Sequence, residues 1–129
     1  IGDWGLGIGD WAAADVIIAN LEAIREKCET HGIYPVFATA TPINKDIMDR
    51  YSFYGFTVPA WQNEQQLLNK WILTQRYCVD VSTLLADEKG NLRSDYTTDG
   101  LHPDERAKRY IGERIGEYLR ITFPQIVGK

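Results

Sequence analysis

Two histidines, His31 and His102, are the side chains of this 129-residue chain that exchange protons near neutral pH. His31 stands beside Gly32 at the end of a helical stretch. There an imidazole caps the last carbonyls and interacts with the helix dipole, so its reading is structural. His102 lies in Thr97-Thr98-Asp99-Gly100-Leu101-His102-Pro103. Gly100 permits a tight turn, and the Asp99 carboxylate can then fold back to accept the Nδ1 hydrogen of His102. Such a contact fixes the tautomer, leaves Nε2 free as a base and stabilises the imidazolium that forms. It is the base-and-orienter half of a nucleophilic triad. The tetrapeptide also has a plainer reading, in which Asp99 only caps a turn.

Other candidate chemistry is weaker. Asp80, Asp99 and His102 match no zinc-ligand spacing. Asp80 is expected to make a structural hydrogen bond at a strand end. Gly5-Leu6-Gly7-Ile8-Gly9 follows no strand and lacks the third glycine of the dinucleotide fingerprint. Cys28 and Cys78 form no CxxC pair and read as two buried, reduced thiols. Neither a metal nor an organic cofactor is expected. Trp4 and Trp11 either line an acyl or sugar pocket or serve ordinary packing.

These residues need a scaffold. Ile17, Leu21, Ile24 and Cys28 recur at helical spacing and predict a helix from about Ala12 to Thr30, capped by Asp10 and stopped by His31-Gly32. Ile33 to Ala40 is a nearly continuous apolar run, which predicts a strand covered on both faces. Residues 43–59 read as an irregular aromatic loop, either a binding loop or a satellite core. Trp61, Glu64, Leu68, Trp71, Ile72 and Gln75, widened by Leu67, mark one side of a helix from about Ala60 to Arg76. Cys78 to Val81 is a second short strand, and Asp87 to Asn91 a turn. A last helix runs from about Pro103 to Ile121, with Ala107, Ile111, Ile115, Tyr118 and Leu119 inward. Pro103 suits its first position, which sets His102 near the cap with a surface-facing ring. Alternating helices and strands predict an α/β fold with parallel strands in a single domain, 1–129.

Hydrophobic residues are 44% and charged residues 25%, the balance of a folded globular chain. The net charge of −4 gives no basic surplus for nucleic acid or an anionic membrane. No apolar run reaches the roughly 20 residues that span a bilayer. Ile1-Gly2-Asp3-Trp4 recurs as Ile8-Gly9-Asp10-Trp11, too little for a solenoid. Two strands alone make a poor sheet, so upstream polypeptide is expected to supply others.

Thr98-Asp99-Gly100-Leu101-His102-Pro103, followed by an amphipathic helix, resembles the last block of the GDSL-type (SGNH) esterases and lipases. Asn20 to Ile24, Gly32 through Thr41-Pro42-Ile43-Asn44, and Val79-Asp80-Val81 are similar to the preceding helix and strands of that family. The resemblance implies a three-layer α/β/α sandwich with a parallel sheet, flavodoxin-like, here incomplete. It also implies a Ser nucleophile in a Gly-Asp-Ser motif, His102 as its base and Asp99 as orienter. Serine occurs at Ser52, Ser82 and Ser94, none in Gly-Asp-Ser. Gly2-Asp3 falls where the family's oxyanion-hole Asn block ends, with Gly2 at the Asn position.

The expectation is a hydrolase of small acyl or acetyl esters. Its nucleophile would lie on the remaining N-terminal part of the same domain. The alternative is a catalytically inactive SGNH-fold or flavodoxin-like binding module.

Overall fold

The computed structural model describes residues 13–50 and 58–127. Asp10, Gly2, Asp3, Trp4, Trp11, Ser52 and much of the aromatic 43–59 stretch lie outside the described residues. The elements are α1 (Ala14–Thr30), β1 (Phe37–Ala38), α2 (Lys45–Arg50), α3 (Val58–Ile72), β2 (Cys78–Val79) and α4 (Ser82–Leu85). A 3-10 turn (Ser94–Tyr96), α5 (Glu105–Thr122) and α6 (Pro124–Val127) follow. The chain is of the α/β class. No described helix is long and apolar enough to cross a membrane.

β1 and β2 pair in parallel, Phe37 opposite Cys78 and Ala38 opposite Val79. The Phe37 amide donates to the Tyr77 carbonyl at 2.9 Å and the Thr39 amide to the Val79 carbonyl at 3.1 Å. A parallel pair requires a long crossover, and α2 and α3 lie within it. The chain past β1 is held by side chains. Asn69 of α3 accepts from the Ala40 amide at 2.7 Å and donates back to its carbonyl at 3.2 Å. The Thr39 hydroxyl accepts from the Val81 and Ser82 amides at 3.0 and 2.9 Å.

The sequence elements hold with corrections. The apolar 33–40 run, expected to be covered on both faces, pairs as a strand only at Phe37–Ala38, and Ile33, Tyr34 and Ala38 are exposed. The stretch read as irregular contains α2, whose Ile47 and Met48 are buried. α3 begins at Val58 rather than Ala60. Ile24, placed on the inner face of α1, is 53% exposed, because that helix packs through Ala14, Ile17, Ile18 and Leu21. Leu67 does not widen the buried stripe of α3 either; Leu68 and Ile72 carry it. Cys28 and Cys78 are free but only half-buried. His31 is the C-cap of α1, with Nδ1 2.8 Å from the Lys27 carbonyl, and Gly32 takes a φ of 72°.

One core joins Ala14, Phe37, Ala40, Ile43, Met48, Leu68 and Ile72. A second joins Leu85, Leu92, Tyr96 and Ala107, with Ile111 packed against it. Burying a leucine as fully as Leu85 or Leu92 stabilises by about 1.5–3 kcal/mol. This second core fixes the start of α5 against the 3-10 turn. The loop between them carries Asp99 and His102.

Candidate functional site: an Asp–His pair on a tethered loop

Residues 97–103 form a closed loop. Its ends meet in an antiparallel bridge between Thr97 and Pro103. The Asp104 amide donates to the Tyr96 carbonyl at 2.6 Å. Asp104 then caps α5, its carboxylate accepting from the Ala107 amide at 2.9 Å. The helix therefore starts two residues later than its proline suggests. Pro103 serves the bridge, where its missing amide costs little, and the acid after it becomes the cap.

Inside the loop the two oxygens of Asp99 divide the work. Oδ1 accepts from the backbone amides of Leu101 and His102, both at 2.8 Å. Oδ2 lies 2.6 Å from Nδ1 of His102. An ionised carboxylate only accepts, so Nδ1 carries the hydrogen, and in the neutral ring Nε2 keeps its lone pair. The His102 side chain is 72% exposed and that of Asp99 30%. No partner among the described residues meets Nε2. Burial favours the neutral acid at Asp99. The ring hydrogen bond, the two backbone amides and the charge of the imidazolium outweigh it and hold the carboxyl far below the usual carboxylate range.

The loop is tied to the chain beyond β1. The Asn44 amide donates to the Gly100 carbonyl at 2.7 Å. Asn44 is buried; its Oδ1 accepts from the Ile47 amide at 3.0 Å, capping α2, and its Nδ2 donates to the Leu92 carbonyl at 2.8 Å. Gly100 has a φ of 85°, and a Cβ there would sit 2.6 Å from the Asn44 carbonyl oxygen. The glycine is thus demanded twice, by conformation and by close approach. Asn44 had no signal in composition or spacing; it matters only because the fold brings α2 to this loop.

The remaining predicted residues fall elsewhere. Asp80 holds the start of α4 through the Thr83 amide at 3.0 Å and hydroxyl at 2.7 Å, the structural role expected at a strand end. Among the described residues no group of three His, Cys, Asp or Glu is placed to hold a metal ion. Gly2, Asp3, Trp4 and Trp11 lie outside the described residues. The arrangement can therefore take a proton at Nε2 and give it back, with the ring aimed by a carboxylate.

No family model and no curated protein matches the chain. Among solved structures it is similar to one described as "a putative platelet activating factor from Streptococcus pneumonia", at 24% identity and a TM-score of 0.65. The match covers 89% of this chain and 56% of that one, so this chain spans little more than half of its neighbour's length. At that identity the likeness speaks to fold.

Proposed function

We propose that these residues supply the base and orienter of a serine ester hydrolase of the GDSL/SGNH type, acting on small acyl or acetyl esters. The observation that supports it most is the 2.6 Å contact from Asp99 Oδ2 to His102 Nδ1 on an exposed ring with Nε2 open. We assign the nucleophilic serine to polypeptide beyond these 129 residues, where it would complete a three-layer α/β/α sandwich around the parallel pair. A two-stranded sheet with Ala38 open to solvent is consistent with further layers.

In this reading Nε2 takes the serine proton as the oxygen attacks the ester carbonyl carbon. The tetrahedral species collapses, the C–O bond to the alcohol breaks, and Nε2 returns the proton to the leaving oxygen. Water then gives its proton to Nε2 and attacks the acyl-enzyme. The acyl–serine bond breaks and the serine oxygen recovers the proton. Asp99 stays ionised throughout and steadies the imidazolium. The chemistry calls on no metal or organic cofactor.

The test is hydrolysis of nitrophenyl acetate by the longer polypeptide that carries a Gly-Asp-Ser segment with these residues. His102→Ala is expected to lower kcat by about 10⁴-fold or more. Equal inactivity of both proteins would overturn the enzyme reading and leave a binding module.

A further inference from the structure

Thr97 is buried at the neck of the loop, with 7% exposure. Its hydroxyl accepts from the Gly100 amide at 3.0 Å. It lies 2.9 Å from the His102 carbonyl oxygen and 3.3 Å from Oδ1 of Asp99. A hydroxyl has one hydrogen, and the shorter, better O–H···O distance is to the His102 carbonyl. One side chain thereby grips the backbone on both sides of the pair: at Gly100, just after the acid, and at His102, the base itself. Asp99 Oδ1 already holds the amides of Leu101 and His102. The His102 backbone is thus held at its amide by Asp99 and at its carbonyl by Thr97.

We propose that Thr97 is a positioning residue for the Asp99–His102 pair, and that its hydroxyl, through the Gly100 amide and the His102 carbonyl, keeps the ring in register with Oδ2. The proposal rests on the dyad reading above. It touches neither substrate nor reacting atoms, and a hydrophobic isostere such as valine keeps its shape while removing both contacts. The Gly100 amide would then be buried without its acceptor, and the turn that presents Asp99 would relax.

The experiment reads ring tautomers by long-range nitrogen–proton NMR of the 129-residue chain in alkaline solution, with no ester present. Its outcome is therefore separable from that of the hydrolysis assay. The two histidines give two ring signals, and His31 is an internal standard. Its Nδ1 faces the Lys27 carbonyl, which only accepts, so that nitrogen carries hydrogen. His102 in the wild type is expected to show the same Nδ1–H pattern. Thr97→Val is expected to cut the Nδ1–H to Nε2–H ratio of His102 about fivefold, the size of one net hydrogen bond, with His31 unchanged. Thr97→Ser is expected to retain the wild-type ratio. A folded Thr97→Val chain with an unaltered His102 pattern would overturn the proposal, as would loss of the pattern in Thr97→Ser. Should valine prevent folding, visible as a changed His31 signal, Thr97→Ala set against Thr97→Ser decides in the same way.

Discussion

Asp99 spends one oxygen on shaping the backbone and the other on aiming a ring. Its depressed proton affinity has a consequence for stability. The unfolded carboxyl takes a proton at about pH 4, whereas the folded one resists until much lower pH. The stabilisation is therefore complete above about pH 4 and is lost as pH falls below it. Asp99→Asn is expected to lower stability by about 1–3 kcal/mol at pH 7. Urea unfolding of both chains across pH should show that gap shrinking below about pH 4. A gap of constant size would mean that the carboxylate charge contributes nothing. This pair was legible in the sequence because its bonds are local, three residues apart with a glycine between. Thr97 gave no such signal. A threonine in a turn is unremarkable until its hydroxyl is seen to reach Gly100 and His102 together.

Among the elements, α2 was hidden and the helices around it were not. α1, α3 and α5 announce themselves through apolar spacing over four or more turns. α2 has six residues, mostly polar, and stands because Asn44 caps it and Ile47 and Met48 are buried. Such a helix is made by its surroundings. The same surroundings set the demand at Gly100. Gly90 offers a control, with a nearly equal φ of 82° but open space where a Cβ would go. Gly90→Ala is expected to cost about 1–2 kcal/mol, the left-handed penalty alone. Gly100→Ala meets the Asn44 carbonyl oxygen as well and should exceed it by about 1–3 kcal/mol. Denaturant midpoints of the two variants check this, and equal losses would show that the α2 contact yields freely. The strands were legible in kind and not in extent. A continuous apolar run fixed neither burial nor length: Ile33 and Tyr34 are more than half exposed, and the ladder joins only two residues of each strand.

For the molecule as a whole, the alternation of helices and strands sufficed for the α/β class and for the parallel direction of the pair. Ile24 and Leu67 show where periodicity fails, since it marks a stripe without saying which edge of it meets a neighbour. The proposed function rests on half a constellation only. Three serines occur in the chain, none after Gly-Asp, so the 129 residues alone are expected to form no covalent adduct with a fluorophosphonate. Intact-mass measurement after incubation checks this. A stoichiometric mass gain would mean that one of the three serines is the nucleophile and that the division of labour proposed above is mistaken.

Among the described residues, the hydrogen bonds that shape the Asp99–His102 pair arise within residues 97–102, and Asn44 tethers the same loop from outside. The imidazole is accordingly set in direction before any ligand arrives, and no part of that ligand's affinity is consumed in turning it. A designer could treat this segment as a portable cassette, with a helix-capping asparagine as its socket.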